Sequence, residues 1–272
     1  MSERKPNRVL ELEVEIDATI ADVWRAISEG AHIASWFAPQ ASVTHPGEGG
    51  LVTVAWDAAE GNAWTTKVGV WKPNQQVRWV DESGMLGPGT VIWLDYFLTT
   101  EKGRTRLRLV QAGFGDSEAW DDFFAGTESG WSYFLYNLKL YVEVHFGRAR
   151  HMITQRLKLD LKRGVAWDRL LAAATGLVVA GSTAIEAGAA VGLNLGDAKP
   201  VQAEVALVRP QRVIAFRVAE LNDAALFVEF ESGEEAFHLG LWLSVYDEAT
   251  AARLRKPVLA QFALLHAKLN RD

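Results

Sequence analysis

An internal repeat, with a period of about half of the 272 residues, is the feature that most constrains the fold. Leu10–Ile16 reads LELEVEI and Gln155–Leu161 reads QRLKLDL, and apolar and polar residues alternate in both segments. Alternation with a period of two is typical of a strand with one buried face. A short predicted helix follows each strand and carries one tryptophan, Trp24 in the first half and Trp167 in the second.

The similarity continues further along both halves. Thr65–Pro73 (TTKVGVWKP) corresponds to Gln202–Pro210 (QAEVALVRP), and each segment predicts a strand that ends in a turn on Lys-Pro or Arg-Pro. Proline presets the φ angle that such a turn needs. Apolar periodicity predicts a final helix in each half, over Gly130–Val144 and Pro257–Leu269.

The order of elements predicts the fold class. The first half reads as a strand, two short helices, about six strands with short connections and a long helix, and short connections favour an antiparallel meander. The terminal helix is the only element able to cover the apolar face of that sheet. Its apolar stripe has helical spacing and consists of Trp131, Phe134, Leu135, Leu138 and Val142. We therefore predict an α+β chain of two tandem domains, residues 1–150 and 151–272.

Several segments of the first half, in this order and spacing, are similar to a known family. They are LELEVEI, ADVWRAI at residues 21–27, ASWF at 34–37, PGEGG at 46–50, VWKP at 70–73, GRTRL at 103–107, Gly113-Phe114 and the helix from Gly130-Trp131. This pattern covers nearly all of residues 9–145. It resembles the SRPBCC (START-like) superfamily and, within it, the AHSA1-like (activator of heat-shock chaperone ATPase homologue) family.

The resemblance implies two helix-grip (START/Bet v 1-like) domains, each a curved antiparallel sheet around a long C-terminal helix. It implies an apolar cavity between sheet and helix in the first domain, since relatives bind lipids, sterols, polyketides or other apolar molecules. The second domain is a diverged, shorter copy. It keeps Trp167 and Pro210 but lacks a counterpart of Trp36-Phe37, so we expect it to be structural.

Tryptophan is the most distinctive candidate for a binding site, because nine of the 11 lie in the first half. A tryptophan can line a cavity and orient a ligand through its N–H, although any one of them can equally fill a core. The side chains predicted to bind a ligand are Trp36, Phe37, Trp56, Trp93, Trp131, Phe134, Leu135 and Leu138. We expect Trp24 to pack its short helix onto the sheet.

Two polar residues on one strand complete the predicted site. Alternation along Val91–Phe97 puts Trp93 and Asp95 on one face and Tyr96 on the other. Both faces are partly apolar, so the sequence leaves open which face is inside. If the Trp93 face is inside, Asp95 is a buried carboxylate that can act as an acid or base; otherwise it is a rim residue paired with an arginine.

Composition and motifs exclude several function classes. A net charge of −6 without a basic stripe argues against nucleic acid and membrane insertion. Cysteine is absent, so disulfides and thiol chemistry are excluded, and the six histidines lack metal-ligand spacing. We therefore assign no catalytic residue, metal or cofactor. The N-terminus lacks the apolar region of a signal peptide, which predicts a cytoplasmic protein.

Three functions remain open from the sequence. The first is binding of a small hydrophobic molecule by a carrier, sensor or sequestering protein, acting as a monomer or homodimer. The second is a regulator that interacts with a chaperone or another protein partner. The third is an enzyme of the cyclase or hydrolase type acting on an apolar substrate, which the lack of a catalytic motif disfavours.

Overall fold

The computed structural model describes residues 8–56, 63–84, 89–181, 185–231 and 237–270. The first half contains strands β1 (Leu10–Ile16), β2 (Gln40–Val43), β3 (Leu51–Ala55), β4 (Ala63–Lys72), β5 (Gln76–Asp81), β6 (Ile92–Glu101) and β7 (Arg104–Ala112). Its helices are α1 (Ile20–Ser28), α2 (Gly30–Ile33) and α3 (Asp121–Leu140), and α3 continues as a π-helical turn over Tyr141–His145.

The second half repeats this order, with a 3-10 turn (Ala173–Thr175) in the place of α2. Its strands are β8 (His151–Leu159), β9 (Val178–Gly181), β10 (Ala190–Leu193), β11 (Val201–Arg209), β12 (Val213–Val218), β13 (Ala224–Phe230) and β14 (Phe237–Val245). Its helices are α4 (Arg163–Leu171) and α5 (Glu248–Leu269).

Strand order confirms the predicted α+β tandem of helix-grip domains. The two seven-stranded antiparallel sheets have the orders β1-β7-β6-β5-β4-β3-β2 and β8-β14-β13-β12-β11-β10-β9, which are the same when counted within each half. Each half ends in a long helix, α3 or α5. The matching tryptophans, Trp24 and Trp167, are both buried, and the ring of Trp24 meets that of Trp71 edge-on at 5.0 Å. The predicted packing of α1 on the sheet is therefore confirmed.

The two proline turns have the same geometry. The residue after each proline, Asn74 after Pro73 and Gln211 after Pro210, has a left-handed φ, of 60° and 59°. In each turn the next backbone N–H donates to the carbonyl before the proline, over 2.9 and 3.0 Å. A register shift also interrupts the strand before each turn at the corresponding place. The repeat thus extends to backbone conformation.

Both long helices begin nine residues before the predicted positions, Gly130 and Pro257. The Asp247 carboxylate caps α5 by accepting from the Thr250 N–H over 2.7 Å, and Pro257 lies inside the helix rather than at its start. Glu118–Trp120 form a short 3-10 turn that leads directly into the first turns of α3. Asp121 and Asp122 in that first turn favour the helix start through the dipole.

The core of the second half shows how one helix covers one sheet. The buried residues of α5 follow helical spacing and pack with the inward side chains of the strands. These helix residues are Leu254, Val258, Phe262, Leu265 and Leu269. Gly181 and Gly192 lie in the short strands β9 and β10. Within the described ranges, no helix is both long enough and apolar enough to cross a membrane.

Three ion pairs join β1 to β7 on the exposed face of the first sheet. Arg104 contacts Glu15 at 2.6 Å and Arg108 contacts Glu11 at 3.2 Å, and Arg106 pairs with Glu13 between them. We call this row the Glu–Arg ladder. All six side chains are exposed, so each pair adds little stability.

Cα proximity divides the chain into two compact units. The first unit comprises residues 1–124 and 134–149. The second comprises residues 125–133, which are part of α3, and residues 150–272. Division of the chain near residue 150, with binding in the first domain and a structural second domain, stays a prediction.

Helix α5 offers a matched test of this core. Phe262→Ala is expected to destabilise the protein by about 3–5 kcal/mol, because a fully buried ring leaves a cavity. Leu264→Ala, on the same helix but 56% exposed, is expected to change stability by less than about 0.5 kcal/mol. Urea unfolding followed by far-UV circular dichroism measures both. Equal losses for the two variants would contradict the assigned helix face.

Candidate functional site

Five aromatic side chains of the first unit meet around Phe37. The Phe37 ring centre lies 4.6 Å from that of Phe134 and 5.3 Å from those of Trp36 and Trp56, and it lies 6.2 Å from that of Trp79. Phe134 and Trp56 meet it edge-on, the arrangement that aromatic rings prefer. We call these five residues the Phe37 cluster. Four of them, all but Trp79, are among the predicted binding residues.

Local contacts of α2 fix the position of Phe37. The Trp36 indole N–H donates to the Ala26 carbonyl over 2.8 Å, which ties the turn after α2 to α1. A Cβ atom on Gly30 would lie 2.9 Å from the Cα of Ser42, so a glycine is required where α2 approaches β2. These contacts fix the turn from which the Phe37 ring reaches Trp79 and Phe134.

Two buried polar atoms, one in the Phe37 cluster and one beside it, have no hydrogen-bond partner among the described residues. They are the indole nitrogen of Trp79, which is 1% exposed, and Oδ1 of Asn137, which is fully buried. Asn137 donates through Nδ2 to the carbonyl of Trp36, next to Phe37, and this bond fixes which amide atom is the oxygen. An unmade hydrogen bond on a buried group costs about 1–3 kcal/mol. Such groups call for an explanation, and a bound ligand is one.

Tyr96 extends the cluster along β6. Its ring centre lies 5.3 Å from that of Trp79, and Tyr96 and Leu94 are both buried on the inner face. Burial raises the pKa of the Tyr96 hydroxyl well above its ordinary value of 10.0, so the hydroxyl is neutral. Tyr96 therefore lies next to Trp79 of the cluster, and its part in ligand binding stays a prediction.

Trp93 and Asp95 lie on the opposite face of β6 and are not part of the Phe37 cluster. Trp93 is 36% exposed. Asp95 is buried, but it accepts from Arg78 over 2.8 and 2.9 Å and from Gln76 over 2.9 Å. The hydrogen bond to Asp95 raises the pKa of the Arg78 guanidinium above its ordinary value. The sequence left two alternatives for Asp95, a buried acid or base in the cavity or a residue paired with an arginine. Asp95 is paired with Arg78, so the alternative that places it in a cavity is wrong.

The remaining predicted residues lie on α3. Leu135 and Leu138 are buried on the stretch of α3 that belongs to the first unit. Trp131 is also buried, but it belongs to the segment that groups with the second unit. We leave Trp131 outside the Phe37 cluster.

Trp79 of the cluster, and Asn137 beside the cluster, were not among the predicted binding residues. Trp79, like Val77, is an inward residue of β5, and the apolar–polar alternation of QVRWVD is the signal that could have found it. Asn137 lies three residues after Phe134, and its position as a polar residue beside the apolar stripe of α3 is the signal that could have found it.

A groove of about 340 Å³ lies elsewhere on the first unit, along the exposed side of β1. It is lined by Glu13, Val14, Glu15, Glu101 and Arg106. Arg106 pairs with Glu13 and, at 3.6 Å, with Glu101. Its polar side chains therefore already satisfy one another, which makes the groove a poor binding site.

The pair of Arg78 and Asp95 provides a test of a structural rather than catalytic role. Arg78→Met is expected to destabilise the protein by about 2 kcal/mol, because it leaves a buried carboxylate without its guanidinium. Asp95→Asn in the same background is expected to recover part of that loss, since the charge is then removed. A double-mutant cycle in urea measures the coupling. Additive losses would show that the pair does not stabilise the sheet.

A family model matches the first domain. Residues 17–143 match the family described as Activator of Hsp90 ATPase homolog 1-like protein. The matched range contains α1 and all five residues of the Phe37 cluster. The family resemblance predicted from the sequence is therefore confirmed for this domain. No protein of curated function matches the chain at a significant level.

Three solved structures are similar to the chain at low sequence identity. The solution structure of the Aha1 dimer from Colwellia psychrerythraea is 20% identical, covering 52% of this chain and 99% of that one, with a TM-score of 0.44. DynU16, a protein of the dynemicin biosynthetic locus, is 19% identical over 97% of this chain and 98% of that one, with a TM-score of 0.44. StfQ, a di-domain ARO/CYC of the steffimycin biosynthetic pathway, is 12% identical over 96% of this chain and 97% of that one, with a TM-score of 0.42.

Proposed function

We propose that this chain, whose residues 17–143 form a domain of the Activator of Hsp90 ATPase homolog 1-like family, binds a small, largely apolar ligand in the Phe37 cluster. The observation that carries the proposal is the pair of buried polar atoms without partners, on Trp79 and Asn137, inside an aromatic cluster. Ligand sites are mostly apolar with a few polar groups that orient the ligand. The cluster has this composition.

The two polar atoms specify complementary groups on the ligand. The Trp79 N–H requires an acceptor, such as a carbonyl or hydroxyl oxygen, and the Asn137 Oδ1 requires a donor, such as a hydroxyl. The surrounding rings favour a flat or ring-containing apolar body. A hydroxylated or keto-bearing ring compound fits both requirements better than a simple fatty acid chain does.

The packing of the rings indicates how the ligand enters. Phe37 is buried, whereas Trp56 and Phe134 are only partly buried, so these two mark the side nearest solvent. Ring centres 4.6 Å apart leave no room for a ligand between Phe37 and Phe134. Binding therefore requires Phe134 or Phe37 to change rotamer.

The proposal assigns binding to residues 1–150 and a structural role to residues 151–272, in a cytoplasmic protein without cofactor. The absence of cysteine from the whole chain suits a reducing compartment. A chaperone-regulating role is the second candidate, favoured by the description of the matching family. The enzyme alternative loses its best acid or base, because Asp95 is held by Arg78 on the outer face.

Native mass spectrometry of the freshly purified full chain, followed by organic extraction, is the first test. A stoichiometric small molecule with at least one oxygen acceptor and one donor is the expected result. A clean apo mass, together with no uptake from a panel of sterols, fatty acids and aromatic polyketides, would contradict ligand binding. Attention would then turn to the chaperone alternative.

Two variants then locate the site. Trp79→Phe and Asn137→Leu are each expected to weaken binding of the extracted molecule about 10-fold, the equivalent of one buried hydrogen bond. Trp93→Phe is the matched control, because Trp93 lies on the outer face of the same sheet and is expected to leave affinity unchanged. Isothermal titration calorimetry measures all three. An equal effect of Trp93→Phe would place the ligand elsewhere.

A further inference from the structure

His32 is a buried histidine on α2, within the first unit, and only 7% of it is exposed. Its Nδ1 lies 2.6 Å from the hydroxyl oxygen of Tyr141, in the π-helical turn that ends α3. The Phe146 ring stacks on the imidazole, with ring centres 4.7 Å apart and the planes at 11°. A titratable ring is therefore enclosed between α2 and the end of α3.

The Tyr141 hydroxyl makes further hydrogen bonds at the same place. Its oxygen accepts from the backbone N–H of Gly147 over 3.1 Å, and it also bonds with the Ser35 side chain. Gly147 has a left-handed φ of 80°, which a glycine adopts without strain. Tyr141 thus joins α2 and the residues after it to the turn that follows α3. We call His32, Ser35 and Tyr141 the α2 latch.

The charged groups around His32 disfavour a positive charge on its ring. The Arg25 guanidinium of α1 lies 5.3 Å from the centre of the Phe146 ring on which His32 stacks. Glu29 approaches His32 Nε2 at 3.5 Å, but its half-exposed carboxylate also pairs with Arg25 at 3.1 Å. Burial and Arg25 lower the pKa of His32, against smaller opposing effects of Glu29 and Asp22.

The α2 latch lies directly before the residues that begin the Phe37 cluster. Trp36 and Phe37 follow His32 by four and five residues. The Asn137 amide on α3 donates to the Trp36 carbonyl, and the Trp36 indole donates to the Ala26 carbonyl. Within this set of contacts, His32 is the residue whose charge changes near neutral pH. We call residues 34–37 the Phe37 turn.

We propose that His32 is a positioning residue of the ligand site, which fastens the Phe37 turn to the end of α3 while its ring is neutral, and that protonation of His32 releases the turn. The functional meaning of this role rests on the proposed ligand binding. Release leaves Phe37 and the bond from Asn137 to Trp36 without a fixed support, so ligand affinity is expected to fall in acid. The latch itself belongs to the ligand-free chain and is tested there.

The direction follows from where His32 binds a proton more tightly. In the released turn the imidazole faces water and has its ordinary pKa of 6.5, whereas burial and Arg25 keep its pKa lower in the closed latch. The closed state therefore has its full advantage above pH 6.5 and loses it as the pH falls below 6.5. Between pH 8 and pH 5 this loss is at most about 30-fold, because pH 5 is about 1.5 units below 6.5.

Hydrogen–deuterium exchange of the ligand-free full chain at pH 8 and pH 5, corrected for intrinsic rates, tests the latch. The backbone N–H groups of residues 33–37 donate to carbonyls of residues 29–33, so their protection reports release of the turn. That protection is expected to be lower at pH 5, by no more than about 30-fold, while the hairpin of β6 and β7 changes little. Equal protection of residues 33–37 at both pH values would overturn the proposal.

His32→Asn separates the proton from the hydrogen bond. The asparagine amide offers an acceptor and a donor close to the position of Nδ1 and does not titrate. The variant is therefore expected to keep most of the protection at pH 8 and to lose the pH difference. A difference that persists in His32→Asn would belong to another group, such as His145 in the same π-helical turn, and would overturn the role of His32.

Tyr141→Phe keeps the ring of the latch and removes its hydroxyl. Protection of residues 33–37 at pH 8 is expected to fall by about 5- to 10-fold, the equivalent of one buried hydrogen bond. Trp93→Phe, on the outer face of the sheet, is the control and is expected to leave that protection unchanged. Unchanged protection in Tyr141→Phe would show that the latch does not hold the turn. Because no ligand is present, these outcomes are independent of whether the Phe37 cluster binds one.

Discussion

Each half of this chain depends on one constraint: a seven-stranded antiparallel sheet has an apolar face that a single long helix must cover. In the second half, the buried residues of α5 complete that cover with a largely aliphatic core. In the first half, the corresponding space contains the aromatic rings around Phe37, together with Asn137 on α3. The same architecture thus produces a filled core in one copy and a polar-bearing aromatic cluster in the other.

The sequence predicts the architecture well because the architecture depends on local patterns. Alternation in LELEVEI, the proline turns and the tryptophan after each first strand all act over a few residues, and each appears in the structure as expected. The predicted helix starts were wrong because glycine and proline disfavour a helix interior only on average, and Gly130 and Pro257 both lie inside a helix. Asp247 capping and packing of the helix override them.

The site was harder to predict because it depends on contacts between distant residues. The strand VIWLDYF has apolar residues on both faces, so alternation alone did not decide between Trp93 and Tyr96. Arg78 and Gln76 on the neighbouring strand decide it, because they satisfy Asp95 on the outer face. The unpartnered atoms of Trp79 and Asn137 are equally invisible in sequence, since a missing partner is a property of the whole neighbourhood.

The Glu–Arg ladder has a consequence for how the chain behaves before and after it folds. Strand β1 is at the edge of its sheet, and an edge strand exposes backbone groups that a second molecule can pair with. Glutamate at every second position of LELEVEI places a row of like charges along that edge, and the arginines of β7 pair with them. Another copy of β1 has no such arginines, so its approach is repelled. The ladder therefore acts less as a source of stability than as a guard against aggregation.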